Sequence, residues 1–206
     1  MLWGLGVLLL LSIALSLFIG RYPSPYWMPP QLLVEDTLAQ RLVVNLRMPR
    51  ILVAMLLGMS LAGAGTVMQM IFHNPLVEPG FLGVSQGASF GAALGIVALN
   101  ASGLGIQAAA GCFGCLGLIL SYSLATRIRY GGWTLRLVLA GIAVSALFSA
   151  GVGMLKYFAD PLTQLPELVF WMLGALWGVT WREALTILPV TLLALAGLVL
   201  ARWRLN

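Results

Sequence analysis

Residues 47–88 read RMPRILVAMLLGMSLAGAGTVMQMIFHNPLVEPGFLGVSQGA. An apolar run rich in small residues, 51–72, ends at a polar turn, NPLVEPG, at 74–80. The run has the length and character of a bilayer-spanning helix, which needs about 20 apolar residues. The turn does not, because Asn74, Pro75, Glu78 and Pro79 would break a helix or place charge in lipid. Beyond the turn, Gly83, Gly87, Gly91 and Gly95 recur every fourth residue. On a helix these four form one smooth stripe, against which a second helix can approach closely. Gly58, Ser60, Gly63 and Gly65 form a less regular version in the preceding run. Span, turn and stripe together read as two packed membrane helices joined by an irregular hinge at Asn74, Pro75, Glu78, Pro79 and Gly80.

Composition extends that reading to the whole chain. Hydrophobic residues make up 61% and charged residues 8% of the 206 positions, and mean hydropathy is +1.00. A soluble domain carries roughly 25% charged residues, so this chain calls for lipid as its solvent. The net charge of +5 comes from 11 basic residues with no Lys/Arg run. Scattered at the ends of apolar runs, they suit anchoring at a membrane surface and not nucleic acid binding.

The pattern predicts an all-α membrane protein, a polytopic bundle forming one transmembrane domain over 1–206. Six spans are expected at 2–19, 51–72, 83–99, 106–125, 137–155 and 184–201. The first run lacks a preceding basic residue and a cleavage site, so it reads as a helix and not as a signal peptide. Residues 31–44 are an amphipathic piece within a polar loop. The apolar stretch 168–179 is too short to span and is expected as an interfacial or re-entrant helix. Basic residues divide nearly evenly between the two sides, so the positive-inside rule does not orient the chain.

Several residues invite a functional reading. Arg47 and Arg50 share a helix face at the start of the 51–72 span, with Pro49 read as a first-turn proline. Cations at a helix N-terminus oppose its dipole, so two roles stay open: interfacial anchors or a docking pair for carboxylates on a partner. Ser85 and Gln86 are candidates to line a path, and Gln69 to make an interhelical hydrogen bond. Glu78 is expected to cap or pair within the hinge. Cys112 and Cys115 stand in an apolar helix, and the single His73 lies in another segment. They read as packing residues, and no metal site or cofactor is expected. The sole lysine, Lys156, follows Leu155, so the G-x-x-x-x-G-K-[ST] phosphate loop is missing. No catalytic set surrounds the one histidine. That argues against a membrane enzyme, and the scarcity of ionisable residues within spans argues against a secondary transporter.

RMPR (47–50), NPLVEPG (74–80), LGVSQGA (82–88), LAGIAVSALFSA (139–150) and FWMLGALWGVTW (170–181) together resemble the FecCD/BtuC-type permeases. These are the membrane subunits of binding-protein-dependent ABC importers for iron–siderophores, haem or vitamin B12. Asp160-Pro161 matches a further element of that pattern. The resemblance implies cytoplasmic termini in a bacterial inner membrane. It implies a homodimer, or a heterodimer with a paralogue, together with cytoplasmic ATPase subunits and a periplasmic or lipid-anchored binding protein. It also implies that Arg47 and Arg50 pair with glutamates of that binding protein. Thr134 and Leu135 fall where two small hydroxyl residues form a cytoplasmic gate; Thr134 fits and Leu135 departs. Permeases of this type run to about ten spans, so the chain is expected to correspond to their N-terminal six helices. A non-transporting truncated form is the alternative expectation. Iron–siderophore or a related metal chelate is the expected cargo.

Overall fold

The computed structural model describes residues 2–23, 26–174 and 176–205, with side chains placed as far as Ala201. The side chains of Leu2, Arg202 and Arg204, and the whole of Asn206, lie outside the described residues. The chain runs α1 (Leu2–Phe18), β1 (Ile19–Gly20), β2 (Tyr26–Trp27), α2 (Leu32–Glu35), α3 (Thr37–Leu42), a π turn (Val43–Arg47) and α4 (Met48–Phe72). It continues through α5 (Val84–Val97), α6 (Gly103–Arg127), α7 (Trp133–Phe158), α8 (Gln164–Met172) and α9 (Trp181–Leu205).

Four of these helical segments are long and apolar enough to cross a membrane: Thr37–Phe72, Gly103–Arg127, Trp133–Phe158 and Trp181–Ala201. The expected six spans therefore shorten at two places. α1 has 17 residues and α5 has 14. At ~1.5 Å per residue α5 is about 21 Å long, short of the ~30 Å hydrocarbon core. Its start is set by Gly83, whose left-handed φ of 77° ends the turn. Its end is set by the loop after Ala98, where Asn100 has φ 43°.

The second expected span is corrected in the other direction. Residues 37–72 form one continuous helical run of 36 residues, about 54 Å long. Pro49 does not start it. A proline inside a helix lacks an N–H and clashes with the carbonyl four residues earlier. The π turn at Val43–Arg47 lies where that carbonyl, of Asn45, would stand, and a widened turn relieves the clash. Arg47 and Arg50 therefore lie inside a helix, and the dipole argument does not apply to them.

Two compact units are present, Met1–Gly63 with Leu176–Asn206, and Ala64–Ala175. In the first, the segment after α1 is folded and not a loose loop. Ile19 pairs with Trp27 and Gly20 with Tyr26 in a two-stranded antiparallel ribbon. Met28, Ala39 and Val43 form a small core that Phe18, Tyr22 and Leu33 join. Asp36 caps α3 by accepting from the Leu38 amide at 2.8 Å and also accepts from the Tyr22 hydroxyl at 2.5 Å.

The Tyr22 hydrogen bond, then the Leu38 amide, holds the Asp36 carboxyl below its ordinary value. The same bond to Asp36 raises the Tyr22 phenol. A carboxyl depressed in the folded state stabilises it above the unfolded pKa, about 3.9. That contribution is lost as pH falls through the folded value. Residues 20–38 are expected to open more in acid, below about pH 4. Amide exchange at pH 3 and pH 6, corrected for intrinsic rates, measures this. Tyr22→Phe should shrink the difference; equal protection at both pH values in the native chain would remove the contact from the account.

In the second unit α5, α6 and α7 pack on one another through small, aliphatic and aromatic side chains. Ala92, Ala93 and Ile96 of α5 meet Ile106, Ala110, Val152 and Leu168. Phe72, Val77 and Leu82, around the turn, meet Ala125, Leu137 and Ala140. α8 is tied to the end of α5 by Gln164, whose Nε2 donates to the Val97 carbonyl at 3.3 Å and to Asn100 Oδ1 at 3.2 Å.

Candidate functional site

The hinge at 73–83 is a built turn. Asn74 Oδ1 accepts from the Leu76 amide at 3.0 Å, the side-chain mimic of a backbone turn that suits asparagine. Gln69 Nε2 donates to the Pro75 carbonyl at 3.1 Å, so this residue holds the hinge and not a neighbouring helix. Glu78 is exposed; its carbonyl accepts from the Phe81 amide at 3.2 Å, and its side chain forms neither the expected cap nor an ion pair among the described residues. Ser85 Oγ occupies the space a Cβ on Gly80 would need, so Gly80 and Ser85 are brought together. Leu82 is buried, and its carbonyl accepts from Ser121 Oγ at 2.8 Å.

Ser121 is fully buried on α6, and sequence reading passed over it. Ser121→Ala would strand the Leu82 carbonyl, at a cost of about 1–3 kcal/mol. A lowered melting temperature in detergent is expected, with exposed Ser123→Ala unchanged. Equal melting of the two variants would remove Ser121 from the hinge.

The glycine stripe packs face to face with α6. A Cβ on Gly87 would run into the Phe113 carbonyl, and one on Gly91 into the Ala109 carbonyl. Gly95 sits 3.4 Å from Ile106 Cα by the same measure. Gly83 differs from the other three. It is the N-cap of α5, and a Cβ there would lie 2.9 Å from Val144 Cγ1 of α7. Cys112 and Cys115, expected as packing residues, are exposed on α6 instead.

Ser85 and Gln86 are in the first turn of α5, exposed and half-buried respectively. Thr134 and Leu135 are in the first turn of α7, both exposed. The structure does not bring the two pairs together. Gly83 meets α7 at Val144, ten residues beyond Thr134, which is about 15 Å along the helix.

Arg47 and Arg50 are half-buried in the first unit. Arg47 Nη1 donates to the Leu17 carbonyl at the end of α1. A cation there satisfies an orphan carbonyl and complements the helix dipole. Arg50 Nη2 donates to the Trp177 carbonyl, while its Nε is buried without a partner among the described residues. The two arginines, with Arg21, line a cleft of about 460 Å³ that no carboxylate lines. Arg136 repeats the device at the end of α6, donating to the Ile128 carbonyl at 3.0 Å. Trp181 Nε1 donates to the Val44 carbonyl at 2.8 Å, fixing α9 at the π turn. No sequence signal connects the pairs made by Arg47, Arg50 and Trp181, which are 30 to 137 residues apart.

The FecCD transport family matches residues 8–206. The molybdate import system permease protein MolB of Haemophilus influenzae is 36% identical over 213 residues, 100% of this chain and 62% of its own length. The vitamin B12 import system permease protein BtuC of Serratia proteamaculans is 38% identical over 195 residues, 90% of this chain and 56% of its own. A probable iron chelatin transport system permease protein of Helicobacter pylori is 38% identical over 165 residues, 80% of this chain and 49% of its own. Among solved structures, one described as an inward-facing conformation of a metal-chelate type ABC transporter superposes with a TM-score of 0.86 at 36% identity. That match covers 100% of this chain and 63% of the other. The chain thus spans between about half and two thirds of the length of these relatives.

Proposed function

The chain belongs to the FecCD transport family, and from that premise we propose that it acts as a permease subunit of a binding-protein-dependent ABC importer. The observation that carries the reading is the structural match over the whole chain at a TM-score of 0.86. In this reading the chain sits in a bacterial cytoplasmic membrane beside a second permease subunit. A separate cytoplasmic subunit hydrolyses ATP, and an outer binding protein delivers cargo. The cargo class is a compound carrying a bound metal, with an iron–siderophore as the first candidate. The names of the relatives, molybdate, vitamin B12 and iron chelatin, support the class and widen it to an oxyanion. Arg47 and Arg50 are proposed as the docking pair, the 74–80 turn as the hinge, and Ser85, Gln86, Thr134 and Leu135 as path or gate positions at two separate levels.

Reconstitution in liposomes with ATPase and binding protein tests this. The expected result is binding-protein-dependent ATP hydrolysis together with uptake of one of labelled ferric siderophore, cobalamin or molybdate. Hydrolysis without uptake of any of them, or neither activity, would sink the proposal for this chain.

A further inference from the structure

We propose that Trp181 stands in for the amide that Pro49 lacks, and that by holding the π turn it sets where Arg47 and Arg50 point. The main chain leaves one carbonyl of that turn without a donor. In an α-helix the Val44 carbonyl would accept from the Met48 amide, four residues on. Here the Met48 amide donates to the Val43 carbonyl instead, with the five-residue spacing of a π turn. Val44 would then take the amide of residue 49, and a proline has none. Trp181 Nε1 supplies the missing donor at 2.8 Å. An indole nitrogen donates once and accepts nothing, so one orphan acceptor meets one donor. Pro49 itself is fully buried, so the turn cannot move past it without unpacking its ring.

A second bond runs the opposite way between the same two segments. Arg50 Nη2 donates to the Trp177 carbonyl, so residues 44–50 and 177–181 are tied at both ends. Trp181 opens α9, and the Glu183 carboxylate fixes that first turn by accepting from the Thr180 amide at 3.0 Å. The indole therefore stands on a rigid element, which places a group better than a loop does. Arg47 belongs to the π turn and Arg50 follows the proline. Re-registering the turn shifts one arginine against the other, and with them the carbonyls of Leu17 and Trp177 that they hold. Trp181 is thus a positioning residue for the arginine pair. That role rests on the docking reading of the pair, whereas the bond itself needs only this chain.

A double-mutant cycle on the full chain in detergent tests it: Trp181→Phe, Pro49→Ala and the two together, read by melting and by amide exchange over residues 43–50. Trp181→Phe is expected to lower melting by about 2–4 °C, the value of one net hydrogen bond in a chain of this size, and to speed exchange of those amides. With Pro49→Ala residue 49 carries an amide, so Val44 regains a main-chain donor in either register. In that background the melting loss should shrink to that of a smaller ring, and the faster exchange should vanish. Equal effects of Trp181→Phe in the two backgrounds would overturn the proposal. If Pro49→Ala does not fold, the isostere benzothienylalanine at position 181, which keeps the ring shape without the N–H, decides instead. Faster exchange over 43–50 is then expected, and native exchange would overturn the proposal. Trp181→Phe should also lower capture of the binding protein about threefold, the range for a residue that acts without touching the ligand. Unchanged capture, beside a native chain that does capture, would overturn the positioning role. No capture by the native chain would count against the docking reading, and the cycle would still decide the bond.

Discussion

Gly91→Ala is expected to destabilise the protein, although alanine is the better helix former by about 1 kcal/mol. Steric cost decides the sign. The added Cβ would run into the carbonyl of Ala109, with Phe113 Cβ 2.9 Å away. The first of these atoms is backbone, so α6 as a whole must move. Overpacking of this kind costs about 1–3 kcal/mol, and Gly91→Leu should cost more. Gly111 and Gly153 are the controls, because nothing lies within 4 Å of a Cβ at either. Melting curves in detergent should show Gly91→Ala falling while Gly111→Ala holds or rises. Identical behaviour would mean that the close approach of α5 and α6 does not govern stability.

The second large effect concerns docking. Reversing both charges, Arg47→Glu with Arg50→Glu, is expected to weaken binding of the outer partner by about 2–5 kcal/mol. The native complex should also weaken with added salt. Each arginine already donates to a carbonyl, of Leu17 or Trp177, so reversal also disturbs the fold around α1. The glutamine double variant separates the two, because an amide still donates to a carbonyl but carries no charge. Pull-down of the binding protein should fall for both variants, whereas melting should fall mainly for the glutamate one. Full binding by the glutamine variant would leave the arginines as fasteners of α1 and the 177 segment alone.

The long helices were legible because period and length agree. α6 and α7 extend only a few residues past the expected 106–125 and 137–155. The start of the 37–72 run was not legible. A proline beside two arginines reads as a first turn, and only a π turn lets the helix continue through it. The four-residue spacing located the packed face of α5 but could not show that Gly83 caps the helix in a left-handed conformation. Thr180 to Glu183 carries the T-x-x-E pattern of a capping box, and Glu183 does accept from the Thr180 amide at 3.0 Å. That boundary was readable from local sequence and gives α9 an earlier start than the expected 184. The carbonyl partners of Arg47, Arg50 and Ser121 are 30, 127 and 39 residues away. Those distances are closed by tertiary packing, which no local pattern encodes.

α5 has a bearing on how the chain is made. Fourteen residues, three of them glycines that leave backbone nearly bare, offer an insertion apparatus too little hydrocarbon and too short a reach to be released singly into lipid. Backbone contact with α6 supplies what the segment lacks. The expected order of biogenesis is that α5 waits at the translocation channel until α6 emerges and the two partition together as a hairpin; insertion of α5 when α6 is replaced by a polar segment would overturn it.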